Sequence, residues 1–112
     1  MAIVPTRLIA GSQLTASAAT YYTATNVKAR IDALALTNTS GSSATATVHL
    51  VPSGGAADDT NCIVSAKSLA PGETFVPPGA IGQWIESGGT LQALASAGTA
   101  ITLVASGVEY AA

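Results

Sequence analysis

Charge is what this chain most lacks. Four basic and six acidic residues make up 9% of its 112 positions and leave a net charge of −2, against about 25% charged residues in an average soluble domain. Arg7, Lys28, Arg30 and Lys67 are too few to track a phosphate backbone, which argues against a nucleic-acid partner. Disorder is excluded as well, since 48% hydrophobic residues and a small net charge are the reverse of a disordered composition. Long hydrophobic runs are missing too. No window of about 18 residues is free of Thr, Ser, Gly or charge, so no membrane partner is expected. Cys62 is the single cysteine, so neither an intramolecular disulfide nor a cysteine-built zinc site can form. Residues 1–10, MAIVPTRLIA, have neither the basic start nor the apolar stretch of about 7–15 residues that a signal peptide needs. The chain is therefore expected to fold in the cytoplasm where it is made.

In place of charge stand small neutral residues: 23 Ala, 14 Thr, 11 Ser and 11 Gly, more than half of the chain. Turn signals punctuate them at Gly11-Ser12, Thr39–Ser43, Pro52–Gly55, Ala70-Pro71-Gly72, Pro77-Pro78-Gly79, Ser87-Gly88-Gly89 and Ala97-Gly98. Between these lie short segments of period 2. Ala44, Ala46, Val48 and Leu50 alternate with Thr45, Thr47 and His49. Cys62, Val64 and Ala66 alternate with Ser65 and Lys67, with Ile63 and Leu69 on the second face. Leu91, Ala93 and Ala95 form another such face, and Ile101, Leu103 and Ala105 a fourth, with Val104 outward. Val27–Thr37 is ambiguous, because its apolar residues at 27, 31, 34 and 35 also fit a helical stripe. Alternation of Ile31, Ala33 and Ala35 with Arg30, Asp32 and Leu34 favours a strand, joined by a hairpin to Ala44–Val51. With Ile3–Ala10, Leu14–Thr23 and either Phe75–Val76 or Ile81–Ile85, about eight short strands are expected. The fold class is all-β: a single antiparallel β-sandwich over residues 1–112, of jelly-roll or Greek-key type, with residues 1–12 as a candidate N-terminal arm.

The inventory for catalysis is short. His49, the single histidine, lies on the polar phase of its strand with no local nucleophile or orienting carboxylate, and is expected to be a surface or interface residue. Cys62 has no flanking cation and is expected to be a small buried hydrophobe. Asp58-Asp59-Thr60-Asn61 lacks the spaced ligands and closing glutamate of a calcium loop, so a solvated loop tip is expected. The glycine-rich Ser53-Gly54-Gly55 and Ser87-Gly88-Gly89 lack the lysine and the strand–helix setting of a phosphate loop. No enzyme, cofactor or metal site follows from these residues.

Five aromatic residues remain: Tyr21, Tyr22, Phe75, Trp84 and Tyr110. Trp84 is the leading candidate to anchor the core. Adjacent Tyr21 and Tyr22 must point to opposite faces of a strand, leaving one outward. Free soluble domains defend their faces and strand edges with charge. This chain has long neutral faces of Thr, Ser and Ala instead, as a subunit covered by identical or different subunits would have. A homo-oligomer is expected, with Tyr21, Tyr22 and Trp84 as the interface residues.

Three stretches resemble small virion proteins of tailed bacteriophages. Ile31-Asp32-Ala33-Leu34-Ala35-Leu36-Thr37-Asn38-Thr39-Ser40-Gly41 resembles their opening hairpin. Leu69-Ala70-Pro71-Gly72-Glu73-Thr74 is similar to their turn into the next strand. The segment from Gly88 through Leu103 to Glu109 resembles their last hairpin. The likeness covers residues 31–110. It implies a structural component of the virion with no catalytic residues: a capsid decoration or cementing protein bound to the major capsid protein or other virion proteins. Alternatives are a head–tail or tail subunit, or a carbohydrate- or receptor-binding fibre module.

Overall fold

The computed structural model describes residues 3–111. Nine β-strands run through them: β1 (Ile3–Gln13), β2 (Ala19–Thr23), β3 (Val27–Asn38), β4 (Ala44–Val51), β5 (Cys62–Leu69), β6 (Thr74–Phe75), β7 (Trp84–Ile85), β8 (Thr90–Ala95) and β9 (Ile101–Ala111). They form two antiparallel sheets packed as a sandwich. The first has the order β1-β9-β3-β6, with β7 also on β3, and the second the order β2-β8-β4-β5. The chain crosses from one sheet to the other at nearly every connection, which is jelly-roll connectivity.

The count exceeds the expected eight because one strand is cut in two. β6 and β7 both pair with the same side of β3, at Leu36–Thr37 and Ala29–Arg30 respectively. Between them Pro77 and Pro78 cannot donate to a ladder, so the chain leaves the sheet there. It stays tied to β3 by Gly82 N–H to the Ile31 carbonyl at 2.7 Å and Ile31 N–H to the Gln83 carbonyl at 2.9 Å. Both alternatives for this strand thus contribute, Phe75–Val76 through Phe75 and Ile81–Ile85 through Trp84 and Ile85. The expected strand Leu14–Thr23 is shorter than its pattern, since residues 14–18 carry the chain from the first sheet to the second. Of the candidate N-terminal arm, residues 3–12 lie in β1, paired with β9 as the edge strand; Met1 and Ala2 fall outside the described residues.

Residues 27–38 are a strand, and a β-bulge between Ile31 and Ala33 explains their helix-like spacing. The extra residue, Asp32, shifts the phase. Ile31, Leu34 and Leu36 therefore share the inner face, all 1% exposed or less, whereas Ala33 and Ala35 turn outward. This corrects the face assignment read from strict alternation. The bulge fits only because its partner is glycine. A Cβ on Gly107 would run into the Arg30 carbonyl oxygen, with the carbonyl carbon at 2.9 Å and Asp32 N at 3.2 Å. A similar shift occurs in β5, where Ala66 sits at φ 46° and Val64 and Leu69 both end up buried despite their odd separation.

The two inner faces differ in size. The first sheet supplies Ile31, Leu34, Leu36, Ile101 and Leu103; the second supplies Ala44, Ala46, Val48, Ala93 and Ala95 around Leu91. Alanines opposite leucines let the sheets interdigitate, which is where much of the alanine goes. One polar side chain is fully buried among them. Asn38 donates from Nδ2 to the Ser42 and Leu69 carbonyls at 2.8 and 2.9 Å, and its Oδ1 accepts from Ser40 N–H at 2.9 Å and Ser40 Oγ at 2.7 Å. Every position on the amide is used, so it ties the β3–β4 connection to the end of β5. That connection is an arch from the first sheet to the second and not the expected hairpin, because β3 and β4 pair with β9 and β8 rather than with each other.

Candidate interaction surface

Residues paired across an antiparallel ladder point to the same face, so the register lays out the exterior of the first sheet row by row. Ile3, Tyr110 and Lys28 form one row. Pro5, Val108, Arg30 and Trp84 form the next. After the bulge come Ser106 with Ala33, Val104 with Ala35, and Thr102 with Thr37 and Thr74. Ile3, Trp84 and Val104 are 59%, 43% and 39% exposed, and Val76, itself exposed, walls a hollow beside Ala33, Ala35 and Val104. An apolar face of this extent marks an interaction surface more often than chance exposure does. The outside of the second sheet is different. It carries Thr45, Thr47, Thr90, Gln92 and Ser68, with Leu94 half-buried.

Trp84 does not anchor the core. Its register with Arg30 turns it outward, where its ring lies 5.3 Å from that of Tyr110, tilted by 44°, and the Arg30 guanidinium stands 5.8 Å from its centroid. Arg30 is held by Asp32, Nε to Oδ1 at 2.8 Å, and its Nη1 reaches the Tyr110 hydroxyl at 3.4 Å. Sequence reasoning missed Arg30 and Tyr110 as companions of Trp84, and Val104 as a residue of the same face, because they come from strands distant in the chain. The alternation that turned Val104 outward was the one signal available. Lys28 pairs with Glu86 at 3.5 Å on the same sheet.

Tyr21 and Tyr22 are both half-buried and pack against the core. The Tyr21 hydroxyl accepts from Thr15 N–H at 3.1 Å. Tyr22 faces inward from the second sheet and donates its hydroxyl to Glu109 Oε2 on β9 of the first, tying the sheets together on the side of the first sheet away from Trp84. Burial, and then the neighbouring Glu109 carboxylate, push the Tyr22 phenol well above its ordinary value near 10. The fold therefore favours the neutral phenol. Its contribution to stability is complete below pH about 10 and declines as pH rises through the folded value. Tyr22→Phe is expected to cost about 1–2 kcal/mol at pH 7 and to flatten the stability loss above pH 10, measured by urea unfolding across pH. An unchanged alkaline slope would show that this hydroxyl is not linked to folding.

His49 is not a surface residue. It is 7% exposed, because the β4–β5 connection folds over it. Nδ1 lies 3.0 Å from both the Asp58 carbonyl and Asn61 Oδ1, two acceptors that fix the proton on that nitrogen. Asp58–Asn61 is solvent-exposed at Asp58, Asp59 and Thr60, as expected of a loop tip, and is ordered as a capped 3-10 turn (Asp59–Asn61): Asp58 accepts from Thr60, and Asn61 accepts from the Asp58 N–H. Those bonds, the Thr60 hydroxyl first, lower the Asp58 pKa. Cys62 is half-buried instead of buried, and its thiol donates to the Val64 carbonyl at 3.2 Å.

Each strand edge is ill-suited to further pairing. Pro5 and two register shifts interrupt β1, β2 has five residues, Ala66 distorts β5, and the Pro77-Pro78 segment interrupts the fourth edge. Pairing of a further strand onto either sheet is thereby disfavoured.

No family model matches the chain, and no curated protein matches it. Among solved structures it is similar, at 20% identity and a TM-score of 0.49, to a chain in the structure of infectious bursal disease virus Gx strain. The match covers 96% of this chain and 30% of that one, so the chain spans less than a third of that chain's length.

Proposed function

We propose that this chain is a structural virion protein: a capsid decoration protein of a tailed phage that binds the outer shell and stabilises contacts between capsomers. The major capsid protein is its partner, and the virion, assembled in the host cytoplasm, is its location. The observation that carries the reading is the exposed apolar face of the first sheet, in a domain with only ten charged residues. A subunit of this kind needs no reacting group. It stabilises a shell by burying neutral surface against it, at about 25 cal/mol per Å² of apolar area. The stretches that resemble phage virion proteins supply β3 and its connection to β4, the turn into β6, and β8 with its connection to β9, so they support the same reading.

Purified protein added to capsids lacking it should co-sediment with them and be visible in many copies spread over the shell. Trp84→Ala should weaken that binding by about 2 kcal/mol or more, the loss typical of a central interface aromatic, while leaving thermal unfolding nearly unchanged. About a dozen copies at a single vertex would assign the chain to a connector instead, and absence from the particle would end the virion reading.

A further inference from the structure

We propose that the side of the sandwich between β5 and β6 holds a small organic acid, an apolar body bearing one carboxylate. Its site is a groove lined by Ile63, Ser65, Lys67, Phe75, Pro77 and Pro78. The groove lies off the outer face assigned to the capsid protein, and its occupant is independent of that assignment.

The groove follows from how two edge strands come to face each other. Phe75 is paired with Leu36, and Lys67 with Ala46. Both partners are fully buried on inner faces. Cross-strand neighbours share a face, so Phe75 and Lys67 also point between the sheets, one from each. β5 and β6 are the outermost strands on that side, and an inward side chain there reaches the mouth of the sandwich instead of its middle. The bulge at Ala66 sets this phase, with its backbone at φ 46° and its N–H donated to Thr47 Oγ1 at 3.0 Å. Without the extra residue Lys67 would pair with Thr45 and point outward. Its ammonium instead stands 5.0 Å from the centre of the Phe75 ring. Beyond Phe75, Pro77 and Pro78 leave the sheet and form the other wall. They have no N–H with which to bond β5 and close the gap. About 310 Å³ of space remains, at the small end of the roughly 300–1,000 Å³ of ligand pockets.

The lining selects the ligand. Ile63, Phe75 and the two prolines offer apolar surface to a ring or a branched chain. Lys67 supplies the one charge. Lys28 and Arg30 are each paired with a carboxylate, Glu86 and Asp32 respectively, whereas Lys67 forms no ion pair among the described residues. A cation bordered by apolar walls attracts an anion more strongly than one surrounded by water, and the Ser65 hydroxyl adds a second donor. A carboxylate at the mouth with an apolar body along the prolines uses both features, while a cationic ligand would be repelled by Lys67. An extended peptide fits less well. Ala66 interrupts the free edge of β5, and Pro77-Pro78 that of the first sheet, so a chain has no continuous edge to pair with.

Titration of the isotope-labelled full chain with phenylacetate, followed through its amide chemical shifts, tests the proposal. Saturable shifts at Ser65, Lys67, Phe75 and Gly79 are expected, with a dissociation constant in the millimolar range or tighter. Neutral phenylacetamide should bind about fivefold more weakly or worse. Lys67→Met should abolish that preference, and Lys67→Arg should keep it. Lys67 is exposed, so both variants should unfold at the wild-type temperature, and capsid co-sedimentation of Lys67→Met should equal that of wild type. Shifts that fail to saturate, shifts centred on Trp84 instead of the groove, or equal binding of acid and amide would each overturn the assignment. So would a preference that survives Lys67→Met. Loss of capsid binding in that variant would make the groove part of the shell contact and end its assignment to a free acid.

Discussion

Gly107→Ala is expected to lower the unfolding free energy by about 3 kcal/mol, and Gly107→Val to prevent folding, although neither touches an apolar contact. The added carbon falls on the Arg30 carbonyl oxygen, with the carbonyl carbon and the Asp32 nitrogen close behind. These are backbone atoms of a hydrogen-bonded central strand, so they cannot swing aside as a side chain would. Relief requires β3 and β9 to separate or the bulge to slide. Sliding by one residue would turn Leu34 and Leu36 to the solvent and bring Ala33 and Ala35 into the core. Either response is costly in a domain of this size, whose total stability is about 5–15 kcal/mol. Urea unfolding of Gly107→Ala checks this, and a midpoint equal to wild type would show that the bulge relaxes freely. Gly41→Ala, in an open turn with nothing within 4 Å, is the matched control and should change little.

The second large effect is expected at Asn38. Asn38→Asp keeps the shape of the side chain but replaces its Nδ2 donor with a carboxylate oxygen. That oxygen then faces the Ser42 and Leu69 carbonyls, at sites where the amide now donates at 2.8 and 2.9 Å. Two hydrogen bonds become two repulsions in a fully buried position, for a loss of about 4 kcal/mol at pH 7. The pH dependence is diagnostic. Burial and the two carbonyls favour the protonated acid, so the folded pKa of the new carboxyl lies above its unfolded value of about 3.9. The deficit is complete above the folded pKa and shrinks as pH falls towards 4, because a protonated oxygen can again donate to one carbonyl. Equilibrium unfolding at pH 7 and at pH 4.5 would measure it. A deficit that is constant across this range would mean that the β3–β4 connection opens and hydrates the carboxylate.

Much of the architecture was legible because the segments are short, have period 2 and are separated by Gly and Pro turns. That pattern has few solutions other than a sandwich or barrel. The errors share a physical origin, since alternation is reliable only while the ladder is regular. The bulge at Asp32 exchanged the faces of Ala33 and Leu34, and the left-handed backbone at Ala66 put Val64 and Leu69 on one side. Bulges depend on what the partner strand allows, and Gly107 is 75 positions away from Asp32 in the chain. His49 was misplaced for a related reason. Its strand phase is outward, as its polar neighbours suggested, but a connection from further along the chain folds back and covers it.

The candidate surface was legible in outline only. Charge poverty and neutral outward residues pointed to a covered face, and Trp84 was singled out. Its partners were not, because Arg30 and Tyr110 reach it only through the register of β3 against β7 and β9. Tyr22 shows the converse. An aromatic chosen as an outward contact has its hydroxyl taken up inside the molecule by Glu109, an acid that no local spacing connects to it.

By itself, the sequence determined that this is an all-β chain with few charges, because hydrophobic period, turn residues and charge content are local or additive properties. It also determined that few groups are available for chemistry. Only the tertiary structure decided which of the two sheets carries the apolar exterior and that the strand edges are blunted. It also decided that Trp84 faces solvent while His49 does not. Those outcomes depend on register, and register is set by pairings between strands up to a hundred residues apart, where one bulged residue reverses every face beyond it.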